Sequence, residues 1–405
     1  MPIPVGMGRL RGSLAAAAVV LAMLMPAGRP SWAPVGDTVP LPRPARAALL
    51  PDCDPGERMV LVPVAGHAYH TAYFSASGRE TAYTDEAIVS WREMTGRRVA
   101  GIYLSDHWGD ADGDVRITFP QAKVQMFWRH GALPMVRMMP WSKLWTGGAD
   151  PKISMQAVAR GRFDDQLRAW FRDARDTGIP LLLEFGVEVN GDWFPWNGRW
   201  NGGGTTDGYG SPERPDGPER FRDAYRHVVD LSRATGAARL ITWNFHVNAD
   251  SWPQRWWNQP RWYYPGDSYV DWLSVSNYGE QVPSGKPSHW AMFGEDLGSA
   301  SDPSSSYSRI RRLDPPAPFA VIEFGVTEDP AAGDKAGWIT DAYSKLVPPT
   351  AVYDASLVSY WSEKWRNGNG KVSDLRVDSS PEALAAYREA IADPFLVTTP
   401  EFACV

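Results

Sequence analysis

Residues 179–196 read Ile-Pro-Leu-Leu-Leu-Glu-Phe-Gly-Val-Glu-Val-Asn-Gly-Asp-Trp-Phe-Pro-Trp. The apolar run Ile179–Leu183 predicts a buried strand. The residues beyond it would make a poor core and a good sugar site: a carboxylate at Glu188, an amide at Asn190, then Trp193 and Trp196. Asn190 offers a donor and an acceptor to hydroxyls, and the indole faces suit the CH faces of pyranose rings.

Outward from this stretch, short apolar strands alternate with longer amphipathic segments, the pattern of a parallel sheet with crossover helices. Strands are expected at Met59–Ala65 (continuing toward Phe74), Val99–Leu104, Leu133–Met138, the run into Glu188, Arg239–Phe245, Val270–Asn277, Phe319–Glu323 and Leu357–Trp361. Helices are expected at Thr84–Thr95, Phe119–His130, Phe163–Thr177 with Gly178 as its stop, Glu219–Thr235, Tyr307–Leu313, Lys335–Leu346 and Pro381–Ala392. The Gly-, Asp- and Pro-rich stretch Asn197–Pro218 reads as a long loop.

Glu-Val-Asn-Gly-Asp-Trp-Phe-Pro-Trp at 188–196 resembles the acid/base signature of glycoside hydrolase family 26, the family of the β-mannanases. A second match is Pro318-Phe-Ala-Val-Ile-Glu323-Phe-Gly325, an apolar strand ending in a glutamate. Tyr264–Asp267, Val270–Trp272 and Tyr278 after Leu273–Asn277 are similar to the family's strand-six region. The resemblance implies an α/β fold, a (β/α)8 TIM barrel of one domain over residues 52–405. It implies a retaining mechanism, with Glu188 as acid/base after strand four and Glu323 as nucleophile after strand seven. It places Tyr278 as a hydrogen-bond donor to the nucleophile. In a barrel the strand ends share one mouth, and the long 197–218 loop lies over it.

Trp361, ending strand eight, is expected to floor the central sugar subsite. Trp243 and His246 after strand five, Trp108 after strand two and Trp141 after strand three are further substrate-binding candidates, with ordinary packing as the alternative for each. The family's Arg and His before the acid are replaced here by Glu184 and Val187. This bears on the central subsite and hence on mannan as substrate. Glu184 on the inner face needs a partner if buried, and Arg137 on the neighbouring strand is the expected one.

The leader reads as a signal peptide and Pro-rich segment over 1–47: Arg9 and Arg11 precede an apolar run, Leu14–Met25, too short to span a bilayer. A secreted or periplasmic chain without a stable membrane anchor is expected. Two cysteines, Cys53 and Cys404, permit one disulfide tying the ends of the domain. A net charge of -6 gives no basic stripe, which argues against a nucleic-acid partner. Twenty tryptophans, nine of them between Trp193 and Trp272, fit an aromatic-lined groove for a polysaccharide. Asp110-Ala-Asp112-Gly-Asp114 lacks the turn glycine and the distal glutamate of a calcium loop. No metal or organic cofactor is implied, and a monomer is expected. The function expected is a β-polysaccharide hydrolase, foremost an endo-β-1,4-mannanase. The alternatives are action on β-glucan, β-xylan or a self-produced exopolysaccharide, or a binding barrel that has lost turnover.

Overall fold

In the computed structural model, which describes residues 50–405 apart from 75–82, 111 and 144–146, the chain alternates strand and helix. The leader predicted over 1–47 lies outside the described residues. In order come β1 (Met59–Leu61), β2 (Ala68–Phe74), α1 (Asp85–Thr95), β3 (Gly101–His107), α2 (Gln121–Arg129), β4 (Leu133–Met139), α3 (Met155–Ala159), α4 (Asp164–Thr177) and β5 (Leu181–Phe185). Next are α5 (Asp216–Ala234), β6 (Ile241–Asn248), α6 (Pro260–Tyr263), β7 (Trp272–Ser276), α7 (Ser306–Arg311), β8 (Phe319–Phe324) and α8 (Lys335–Leu346). The chain ends with β9 (Leu357–Ser362), β10 (Lys364–Arg366), β11 (Val372–Asp374), α9 (Pro381–Ile391), β12 (Leu396–Val397) and β13 (Phe402–Cys404).

Strands β2 to β9 pair in sequence order, all parallel, and β2 pairs with β9 to close the ring. This is the expected (β/α)8 barrel. Its helices arise from local chemistry. In α4, Asp164 and Asp165 sit in the first turn, Arg175 in the last, and Gly178 caps the end at φ 68°. Its buried face is Leu167, Trp170, Phe171 and Ala174, the spacing of one helical stripe laid on the barrel.

Two expectations need correction. The first predicted strand is two elements: β1 leaves the barrel to pair antiparallel with β13, and the barrel strand starts at Ala68. Pro63 and Gly66 separate them, as residues that interrupt a ladder do. The predicted loop to Pro218 contains a 3-10 turn at Gly198–Asn201 and yields to α5 at Asp216. Pro218 lies in the first turn of that helix, where its missing N–H is one of the free donors anyway. No helix among the described residues is long and apolar enough to cross a membrane.

The strand period of two sorts the site from the core. On β6, Trp243 and Phe245 pack outward against Phe171 and Tyr225 of the helices. Asn244 and His246 point the other way, into the barrel, where both meet Glu184 of β5. Across the barrel, Arg137 of β4 reaches Glu323 of β8.

Candidate active site

Glu188 lies three residues beyond β5, on a turn whose Gly186 has φ 63°. A Cβ at Gly186 would stand 2.7 Å from the ring of Phe221, so both space and conformation demand glycine. Glu188 itself has φ 49° and is the one non-glycine residue with positive φ among the described residues. Such strain persists only where surrounding contacts fix it, and it concentrates at functional sites. Here Trp193 Nε1 donates to Oε2 at 2.7 Å and Asn248 Nδ2 to Oε1 at 3.0 Å. Both carboxylate oxygens are therefore oriented, at 8% exposure.

Glu323, second to last in β8, is buried at 4% exposure. Arg137 Nη1 donates to its Oε1 at 2.7 Å, and the Tyr278 hydroxyl donates to Oε2 at 3.0 Å. Arg137 is itself fixed by Ser105 Oγ at 2.7 Å and lies 4.5 Å from the ring centre of Trp361. Burial pushes the Glu323 carboxyl up to about 7, against the opposing pull of Arg137 and His246 and with the nearby Glu188 and Glu184 charges adding to the rise. Tyr278 stays a donor, since burial and then Glu323 drive its hydroxyl well above the usual phenol range.

The expected Arg137–Glu184 pairing gives way to this arrangement. Glu184, fully buried, is served instead by the Tyr103 hydroxyl, by Asn244 Nδ2 and by His246 Nδ1, the last at 3.3 Å. His246 Nε2 lies 2.7 Å from Ser276 Oγ. Burial works against a charge on His246, but Glu184, Glu323 and Glu188 outweigh it and hold the ring above the ordinary histidine value.

Of the other candidates, Trp193 remains partly exposed beside Glu188. Asn190 does not face the mouth. Its Nδ2 donates to the carbonyl of Asn248 at 2.8 Å and to Ser251 Oγ at 3.1 Å, and its Oδ1 accepts from the Asn248 amide at 2.7 Å. It clamps the loop after β6, and through Asn248 it bears on Glu188. Trp196 is fully buried, stacked on Phe194 at 4.3 Å and bonded to the Val187 carbonyl. Trp108 packs on Phe163 and Phe185, Trp141 on Phe194 and Trp196 with its Nε1 donating to His107, and Trp243 on the helices. These four are core, because large flat side chains at strand ends and in tight turns are needed there to fill volume. Trp361 stacks on Tyr73 at 3.7 Å, so one face is covered and Arg137 stands over the other, leaving no open platform.

Sequence reading missed Asn248 and the role of Arg137. It also missed partly exposed indoles on the loops leaving β5 and β6, namely Trp200, Trp252 and Trp257, together with Trp256 at 57% exposure. The inward parity of β6 could have signalled Asn248, which continues the series of Asn244 and His246. Away from the site, Asp110 Oδ1 accepts from the amides of Asp112 and Asp114 and the side chain pairs with Arg116, which is a self-satisfied acidic loop.

This geometry sets a titration. A carboxylate that must be ionised to attack is competent only above its pKa. So kcat/KM on any hydrolysed glycan should fall about tenfold per pH unit on the acid side of about 7. Arg137→Met removes the compensating cation and should move that limb to higher pH. A pH profile of the two proteins checks both.

Residues 156–291 match the model of glycosyl hydrolase family 26, a span that contains Glu188 and Tyr278 but not Glu323. Endoglucanase H of Acetivibrio thermocellus is 29% identical over 311 residues, 77% of this chain and 29% of that protein. The β-1,3-xylanase TXYA of a Vibrio species is 22% identical over 289 residues, 66% of this chain and 55% of that protein. This chain thus spans less than a third of the first and about half of the second. A solved Cellulomonas fimi endo-β-1,4-mannanase double mutant has the same fold, with a TM-score of 0.55 at 18% identity over 82% of this chain and 72% of that one.

Proposed function

As a relative of glycosyl hydrolase family 26, this chain is, we propose, a retaining glycosidase that cuts internal β-linkages of a polysaccharide, β-glucan ahead of mannan and β-1,3-xylan. The observation that carries the reading is the pair of unlike carboxyl groups at one barrel mouth. Glu323 is gripped by a cation and a phenol, whereas Glu188 is gripped by an indole and an amide. A double displacement needs that asymmetry.

In the first step a Glu323 oxygen bonds to the anomeric carbon as the bond from that carbon to the glycosidic oxygen breaks, and the Glu188 proton passes to the departing oxygen. In the second, Glu188 as carboxylate takes a proton from water whose oxygen attacks the anomeric carbon, and Glu323 is released. Arg137 and Tyr278 hold the attacking oxygens in place and spread their charge. Water and proton come from solvent, so no metal or cofactor enters this scheme.

Glucan moves ahead of mannan for two reasons. The residues before the acid are Glu184 and Val187 rather than the mannanase Arg and His, and the relative at 29% identity carries the name Endoglucanase H. The partly exposed tryptophans on the loops after β5 and β6 favour a long substrate chain. The Cys53–Cys404 bond supports an exported protein, since such bonds persist in oxidising compartments.

The test is reducing-end release on mixed-linkage β-glucan, galactomannan and β-1,3-xylan, with the anomer of the first product read by NMR. Release of β-anomer from any of them sustains a retaining hydrolase and names the substrate. An α-anomer would exclude the double displacement, and tight binding without release would leave a polysaccharide-binding barrel. Tyr278→Phe should lower kcat about ten- to a hundredfold with little change in KM, the loss of one hydrogen bond to a charged group. Steady-state kinetics on the identified glycan decides it.

A further inference from the structure

Glu184 is a carboxylate with no exposure, deep in a site that already holds Glu188 and Glu323. Three carboxylates against the single guanidinium of Arg137 would be an unbalanced interior, and an unpaired buried charge is costly. The partners that Glu184 has are specific. Tyr103 donates from β3, Asn244 from β6 while also holding Ser274 Oγ at 2.7 Å, and His246 Nδ1 lies 3.3 Å from its Oε2. The second nitrogen of His246 lies 2.7 Å from Ser276 Oγ, and Ser276 is paired in register with Glu323 across β7 and β8. With both ring nitrogens protonated every contact is satisfied: Nδ1–H donates to Glu184 and Nε2–H donates to Ser276.

We propose that Glu184 and His246 are positioning residues for the reaction, a buried ion pair that sets a second fixed positive charge beside Arg137 for the carboxylates that do the chemistry. This rests on the reading of Glu323 as nucleophile. Both side chains are spent on protein partners, at 0% and 3% exposure. Glu184 keeps His246 an imidazolium, and the imidazolium, through its field and through Ser276, favours the ionised and oriented form of Glu323. The groups that face His246 are Glu184 and Glu188 from β5 and the turn after it, Tyr103 from β3 and Glu323 from β8, with Arg137 of β4 in register with Glu184, 5.4 Å from the Tyr103 ring centre and bonded to Glu323. His246 favours the ionised form of Glu323 and Glu184 opposes it, so losing the imidazolium charge leaves the nucleophile harder to ionise.

The experiment uses the purified protein, Glu184→Gln, His246→Gln and the double variant. Nitrogen-15 spectra of the imidazoles, with His246 identified by the signal lost in H246Q, should show two protonated ring nitrogens in the unmodified protein through pH 7. E184Q should convert that ring to the neutral pattern at the same pH. On the hydrolysed glycan each single variant should move the acid limb of kcat/KM up by about one pH unit. That is a tenfold loss at any pH below the limb. KM should hold, and the double variant should be no worse than either single. A neutral His246 at pH 6 in the unmodified protein overturns the proposal. So does an E184Q variant with an unmoved limb and only a lower melting temperature, which would make the pair merely structural. Glu184→Gln keeps an acceptor for Tyr103 and tests the idea even if H246Q does not fold. Should the unmodified protein hydrolyse no glycan, the functional reading fails by itself, and the imidazole spectra still decide the ion pair.

Discussion

Glu323→Gln should abolish turnover, lowering kcat on the identified glycan by on the order of 10^4-fold or more, as removing one member of a covalent-catalysis set does elsewhere. The substitution keeps the volume and one acceptor, the amide carbonyl for Arg137 Nη1, while the amide N–H2 turns to donate to the Tyr278 hydroxyl, so the fold should survive it. It removes the charge and with it the attack on the anomeric carbon. It also leaves Arg137, at 4% exposure, without its ionic partner, so a modest fall in melting temperature is expected beside the kinetic loss. Reducing-end release together with thermal unfolding separates the two. A variant that unfolds at the same temperature yet turns over at a tenth of the normal rate would place the nucleophile elsewhere.

The second large effect is expected from Glu188→Ala, and it should depend on the leaving group. On polysaccharide, where the departing alkoxide needs a proton, the loss should be about 10^2- to 10^4-fold. On an activated aryl glycoside bond breaking needs no acid, but the base for the water step is gone. kcat and KM should then fall together, with a burst of aryl alcohol. Azide should restore turnover and give a glycosyl azide of β configuration, because the anion attacks the glycosyl-enzyme from the face that Glu188 serves. Loss of the same size on both substrates, with no azide effect, would mean that Glu188 only holds Trp193 and Asn248 in place.

The barrel was legible because its signals are local. Each strand is an apolar run and each helix a stripe with a stop, as with Gly178 after α4. The two carboxylates proposed for catalysis, Glu188 and Glu323, were singled out from two motifs whose order matched a known pattern, and both lie at the carboxyl ends of their strands, β5 and β8. The surroundings of the pair were legible only in part. Trp243 and His246 were offered together as site residues, although an odd separation on one strand sends them to opposite faces, and the structure puts Trp243 among the helices. Asn190 and Trp196, offered as sugar contacts, bond to the backbone of the turn and of the loop after β6, since a residue type that can bind hydroxyls can equally bind backbone. Arg137 and Glu323 meet across the barrel, 186 positions apart, and no local pattern encodes which carboxylate an inward arginine will choose. Glu184 drew a correct demand, a partner, and the wrong one, because the demand is set by burial and the answer by geometry on β3 and β6.

The bond between Cys53 and Cys404, with β1 and β13 paired beside it, joins the two ends of the barrel chain. It does so at the face away from the mouth, where Arg58 binds Asp271 and the carbonyls of Ala238 and Ile241 at the starts of β6 and β7. Residues 53–404 are therefore a covalent circle. A protease that cuts the largely exposed stretch 207–213 opens the circle without dividing it, and the product is in effect a permuted chain with new ends on the segment between β5 and α5 and residues 53 and 404 still joined. After one such cut the two pieces should stay joined on a denaturing gel without reductant and separate once the bond is reduced.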